Sequence, residues 1–258
     1  MRSKFFSVMV VGDDPAALLK PYDMSLKVEP YVEYRFLDAE KMQKNAIKVL
    51  NALLENPKQC GLTEFQEQLF RERLKATAAM TPFDYYVSLT QGLYYDENGD
   101  AISDKNKNGK WETCREGRNF ALPLLLKDGG ESYSARKGDV DWDKMHLNNA
   151  DVYKAAWEVC VEKRAPANKE EETIAQRMAG KENYFSYFET KDDYALYNTA
   201  YWNYAYVDEN GWKDINDVPT SMEWVTSFYD NFVKPLDDDK LISIYECSGK
   251  EIKESEND

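Results

Sequence analysis

Two short apolar runs near opposite ends of the chain constrain its fold more than anything between them. Phe5-Phe6-Ser7-Val8-Met9-Val10-Val11 is β-branched and aromatic, and Gly12-Asp13 stops it, so it reads as a buried strand. Leu241-Ile242-Ser243-Ile244-Tyr245 reads as its counterpart. Terminal strands of this kind often share one sheet, so the intervening chain must leave that sheet and come back to it. Strands alternating with helices in between predict an α+β fold with a single mixed or antiparallel sheet, as one domain over 1–258. At 258 residues the chain can bury most of the surface it exposes unfolded, so it needs no disulfide or metal to fold.

The intervening signals are mostly helical. Asp13 or Asp14 caps a short helix with Pro15 in its first turn, and Tyr31 to Leu37 alternates as a half-exposed strand. Asp38 to Glu55 places Met42, Ile47, Leu50 and Leu54 on one face. Thr63 and Gln66 match a capping box, and Thr81-Pro82 opens a third helix. These three form a helical insertion over about 38–92. Asp96 to Gly99 and Asn108-Gly109 read as turns. Asp141-Trp142 leads into further helix, Lys169 to Met178 into a charged one, and Met222 to Val233 into one that turns Trp224, Val225, Phe228 and Phe232 inward. From Ser248 the chain reads as a flexible charged tail over 248–258.

Charge is unevenly placed. The formal net charge is −14. The last 78 residues hold 18 acidic and 7 basic side chains, a net of −11, which leaves −3 for residues 1–180. The same stretch carries 16 of the 35 aromatic residues, and over 181–247 it reads as an acidic, aromatic-rich C-terminal part. A chain this acidic is unsuited to coating nucleic-acid phosphates or anionic membranes, so neither direct nucleic-acid binding nor a membrane partner is expected. Aromatic residues beside carboxylates instead suit either core packing or a protein-binding face. The candidate face comprises Asp192, Asp193, Asp208, Glu209, Trp212, Asp214 and Asp217.

Motifs for chemistry are weak. Asp104, Asn106, Asn108 and Glu112 fall at calcium-loop spacing, but position twelve is Arg115 rather than a carboxylate. An Asn-Gly turn is the favoured reading, and a weak calcium site the alternative. Asp139, Asp141 and Asp143 with His146, the one histidine, could serve a nucleotide or other small molecule. Asp141 more simply caps a helix. No catalytic residue is assigned and no cofactor is expected. Val11-Gly12-Asp13-Asp14-Pro15 is a strand-to-helix junction that could hold an anion, but its aspartates would repel phosphate. Cys60, Cys114, Cys160 and Cys247 are widely spaced, lack metal-ligand spacing, and read as buried thiols of a reducing compartment. The opening apolar run ends too soon for a secretory signal.

Asn108-Gly109-Lys110-Trp111, then Glu116-Gly117-Arg118, Leu126-Lys127-Asp128-Gly129 and Lys137-Gly138-Asp139-Val140-Asp141-Trp142 form an ordered series. Phe228-Tyr229-Asp230 and Lys234-Pro235-Leu236 follow. The series resembles a widespread group of uncharacterised accessory proteins of tailed bacteriophages and mobile elements. It departs from that group at Gly117-Arg118-Asn119, where a second glycine and an aromatic are usual. The resemblance implies an elaborated ferredoxin-like sheet and a place in the cytoplasm of an infected bacterium. It carries no established activity. Joined to the acidic face, it leads us to expect a non-enzymatic protein that binds a host protein, such as a defence nuclease or another nucleic-acid-handling machine. A small-molecule or nucleotide-binding protein, and a virion or assembly component, are the alternatives.

Overall fold

The structure, a computed structural model, describes residues 4–57, 60, 62–117, 121–178 and 182–249. Within these the chain packs as two compact units, one from described residues of 4–23 and 110–249 and the other from those of 24–109. The sequence reading treats the chain as one domain with an insertion over about 38–92. The second unit contains that insertion and begins earlier, at Met24.

The first unit opens with β1 (Lys4–Val11) and α1 (Pro15–Leu19), whose first turn Asp14 caps by accepting the Ala17 N–H at 3.0 Å. The second unit follows as β2 (Lys27–Tyr34), α2 (Ala39–Glu55), α3 (Glu64–Ala79), α4 (Pro82–Leu89), β3 (Tyr94–Tyr95) and β4 (Ala101–Lys105). Thr63 and Gln66 form the capping box that the sequence predicts, and Thr81 caps α4 with Pro82 in its first turn. The strands form an antiparallel sheet in the order β2-β4-β3. Ala39, Tyr86 and Ala101 make its buried core, with Tyr34, Met42 and Leu93 packed against them.

The chain returns to the first unit at Lys110, whose N–H donates to the Tyr22 carbonyl at 2.7 Å. There follow β5 (Thr113–Glu116), β6 (Leu124–Leu125), β7 (Glu131–Ser132), β8 (Ser134–Arg136), α5 (Trp142–Met145), α6 (Ala150–Cys160), α7 (Lys169–Met178), α8 (Glu182–Phe185), α9 (Lys191–Thr199), β9 (Ala205–Asp208), β10 (Gly211–Asp214), α10 (Ser221–Phe228) and β11 (Leu241–Gly249). Between α10 and β11, Tyr229–Val233 winds as a π-helical turn. β11 includes Ser248 and Gly249, where the sequence reading begins its tail, and the rest of that tail lies outside the described residues.

The mixed sheet of the expected α+β fold runs β10-β9-β1-β11-β5, with β8 also pairing β11, and it is accompanied by the β2-β4-β3 sheet and a β6-β7 pair where the sequence predicts a single sheet. Val8 pairs with Tyr245 and Val11 with Ile242, so the two terminal strands are direct antiparallel neighbours. β1 is central and covered on both faces. Met9 and Val11 join a core with Trp224, Phe228, Ile242 and Ile244, while Val8 and Val10 join another with Leu19, Val207 and Cys247. That double burial explains why the run is apolar throughout rather than alternating. β9 lies parallel to β1 as its immediate neighbour. A ferredoxin-like sheet would split that crossover pair with a further strand, so the core differs from the one the resemblance implies.

The aromatic run of the C-terminal part turns inward. Trp157, Phe185, Phe188 and Tyr194 are the buried core of a subdomain built from α6, α8 and α9, and burial pushes the Tyr194 hydroxyl up to about 12. Tyr187 and Trp202 are the large aromatics of this run left exposed.

The cysteines also depart from expectation. Cys114 and Cys247 are opposite one another on β5 and β11, with Cα atoms 4.1 Å apart, and are joined as a disulfide. The register of the two strands brings them together, which no spacing along the chain reveals. Cys60 and Cys160 remain thiols.

Candidate functional site: an acidic cleft at the strand ends

β1 and β9 end side by side, Val10 opposite Val207, and each is followed at once by a tight reversal. After β1 the Gly12 N–H donates to the Leu241 carbonyl at 3.0 Å. Gly12 has φ +150°, and a Cβ there would lie 2.7 Å from Leu18 Cδ1, so the turn into α1 requires glycine. After β9, Asp208 Oδ1 accepts the Asn210 N–H at 2.8 Å and closes the turn into β10.

Between these reversals lies a cleft of about 330 Å³. Asp13, Asp14, Asp208 and Glu209 stand around it with Lys240 as its basic member, above apolar side chains that include Leu18 and Leu236. A crevice beyond the carboxyl ends of parallel strands is where open sheets commonly hold ligands. Asp14 and Asp208 are held by the backbone of their own turns, and Asp208 also accepts the Tyr206 hydroxyl at 3.1 Å. Burial, then the Asp208 charge, pushes the Tyr206 pKa up, so the phenol stays a neutral donor. Four carboxylates against one lysine make the cleft suited to a cationic group and unsuited to phosphate.

Asp208 and Glu209 are thus the two sequence-selected residues that meet in a cavity. Asp13, Asp14 and Lys240 join them unannounced. The signal lies at Val11 to Pro15, a strand-to-helix junction whose two aspartates repel an anion and by the same charge suit a cation.

The other selected residues serve the fold. Asp192 pairs with Lys154 at 2.7 Å, and Asp193 completes a capping box with Thr190 on α9. Asp214 is buried and offers no surface carboxylate. Its side chain accepts from Trp212 Nε1 at 2.8 Å, Lys110 Nζ at 3.3 Å and the Asn216 N–H at 2.9 Å. Burial pushes its carboxyl up, but these donors outweigh burial and hold it below the ordinary carboxylate value. Asp217 accepts the Asp214 N–H at 2.7 Å, and Trp212 packs on Tyr22 with centroids 5.1 Å apart.

The calcium-spaced residues are likewise engaged. Asp104 pairs with Lys27 at 2.7 Å, Asn106 accepts the Asn108 N–H at 3.0 Å, and Glu112 belongs to the other unit. Asp141 caps α5 and pairs with Lys144 at 2.6 Å, Asp139 sits in a 3₁₀ turn, and Asp143 is in the exposed first turn of α5. His146 is half-buried against Tyr229. Among the described residues no group of three or more His, Cys, Asp or Glu side chains could hold a metal ion, and no helix is long and apolar enough to cross a membrane.

No protein-family model, no curated protein and no solved structure matches the chain.

Proposed function

We propose that the protein acts by binding, and that the cleft at the ends of β1 and β9 receives a lysine or arginine side chain of a protein partner. The observation that carries this reading is the set of four carboxylates around the cleft. A protein that handles nucleic acid presents such basic side chains in its own groove, and an acidic protein can compete there for the place of phosphates. A bacterial host protein of that kind, such as a defence nuclease, is the partner class that fits, with the chain as a phage accessory protein. The inward aromatics confine the proposed recognition to charge and to the cleft's apolar floor.

The test uses a hexa-arginine peptide as the probe, followed by NMR at low and high salt. The Gly12 and Glu209 amides should shift, with affinity falling steeply as salt rises. Asp13→Asn with Glu209→Gln should weaken binding about tenfold, a loss of about 1.4 kcal/mol. Glu170→Gln with Glu172→Gln removes the same charge from α7 and should leave binding intact. Equal losses in both variants would reduce the effect to bulk charge and sink the cleft reading.

A further inference from the structure

The second unit carries a surplus of apolar surface, independent of the acidic cleft. It is a third of the chain, yet 12 of the 18 large hydrophobic side chains exposed among the described residues lie on it. Its interior is correspondingly small. Among the described residues it buries four apolar side chains, Ala39, Leu50, Tyr86 and Ala101, and as many polar ones, Gln43 and Thr77 among them.

The surplus centres on α4, whose sequence Pro-Phe-Asp-Tyr-Tyr-Val-Ser-Leu is apolar or aromatic at six of eight positions. A helix apolar around most of its circumference is ordinarily enclosed, but of these eight residues only Tyr86 is buried. Phe83 and Val87 stand one turn apart on the flank beside Tyr86. The Phe36 ring meets Phe83 edge-on with centroids 6.0 Å apart, and Leu37 follows Phe36 in the same 3₁₀ turn. Exposures of 38% at Phe36, 92% at Leu37, 57% at Phe83 and 42% at Val87 leave about 400 Å² of apolar side chain in water, at ~150–200 Å² for each whole side chain.

Area and charge together select a second copy of the chain as the occupant. Homodimer interfaces are about 65% apolar, so one centred on this strip would cover roughly 600 Å² of each copy, which is what the smaller stable interfaces bury per partner. Residues 24–109 carry 11 basic and 13 acidic side chains, a net of −2, so −12 of the chain's −14 lies elsewhere and does not oppose contact here. A nearly neutral apolar strip needs no matching charge and is complementary to itself across a twofold axis. We propose that the protein forms a homodimer through this strip, α4 against α4 of the second copy. Phe83 and Val87 are enclosed at the contact, and the small core of each unit is completed by the other, as in a domain core cut in half.

The experiment is sedimentation equilibrium of the full chain across a concentration series, with hydroxyl-radical labelling of the same samples. By about 10 μM the wild type should sediment at twice the monomer mass. Labelling of Leu37 and Phe83 should fall as the dimer forms, while labelling of Phe65 on α3 stays constant. Leu37→Glu with Val87→Glu, both at exposed positions, should raise the dissociation constant at least about tenfold. Phe65→Ser removes an equally exposed ring and should leave the dimer intact. Salt between about 0.05 and 0.5 M should not weaken it, and Asp13→Asn with Glu209→Gln should leave it unchanged, which separates this proposal from the cleft. A chain still monomeric at about 0.1 mM would overturn the proposal. Accessible Leu37 and Phe83 would then leave the strip to a different protein, and protected ones would mean that the monomer covers it. A dimer lost equally in Phe65→Ser, or kept in the double glutamate variant, would overturn it as well.

Discussion

The imidazole of His146 lies face to face on the Tyr229 ring, with centroids 3.9 Å apart and planes 12° from parallel, while its Nδ1 accepts the Tyr201 N–H at 3.2 Å. The ring therefore carries its proton on Nε2 and must be neutral to keep the bond, because a protonated Nδ1 would face a backbone donor.

A pH dependence follows from this contact. Burial lowers the His146 pKa below its ordinary value, with Asp230 opposing and Lys234 assisting. As pH falls, the unfolded chain takes up the proton first. The contribution is whole above the unfolded value of about 6.5 and is lost as pH drops through the lower folded value. Urea unfolding at stepped pH should show wild type losing more stability over this range than His146→Phe. A gap between the two that stays constant with pH would show that the histidine does not titrate differently on folding.

Asp214 should behave oppositely in origin and similarly in outcome. Its folded pKa is depressed, so its contribution is present above the unfolded value of about 3.9 and disappears as pH falls through the folded one. Asp214→Ala leaves Trp212, Asn216 and Lys110 without their acceptor and should cost about 3 kcal/mol in urea unfolding at neutral pH. A cost under about 1 kcal/mol would mean that water replaces the carboxylate freely.

Tyr86 is the corresponding anchor of the second unit. Its buried hydroxyl accepts the Ala101 N–H at 2.8 Å and faces the carbonyls of Gly99 at 2.9 Å and Tyr34 at 3.1 Å. Tyr86→Phe keeps the ring and strands those three groups, so we expect a loss of about 2 kcal/mol. Hydrogen exchange should report it first at Ala101, and an unchanged rate there would contradict the anchor role.

The Cys114–Cys247 disulfide closes a separation of 133 residues. Under oxidising conditions thiol titration should find two reactive groups, Cys60 and Cys160, and four after reduction and unfolding. Cys114→Ser with Cys247→Ser should lower the stability of the oxidised protein by about 2–4 kcal/mol. A fully folded oxidised protein that still titrates four thiols would exclude the bond.

Local signals were the most legible. Asp14, Thr63, Thr81 and Asp141 each cap the helix expected of them, because a cap depends on residues three positions away. That β1 and β11 share one sheet was also legible, since both runs read as strands, whereas their direct antiparallel pairing was not. What depends on distant partners was not. Asp214 looks like any other carboxylate until Lys110 arrives from 104 residues away, and Cys114 meets Cys247 only through strand register. Tyr184 to Tyr206 was ambiguous for a related reason. Aromatic residues that face a core and those that face a partner share one composition, and α6 decides between them by supplying Trp157.

The place of β1 at the centre of its sheet bears on how the molecule is made. Its neighbours, β9 and β11, begin about two hundred residues later in synthesis, so the most apolar strand leaves the ribosome long before its partners exist. The second unit, continuous over 24–109, has its local contacts available first. Long-range pairing of this kind is slow, and an unpaired hydrophobic strand invites association while it waits. Expression at reduced temperature, or with a holding chaperone, should therefore raise the yield of folded protein more than any change to its surface.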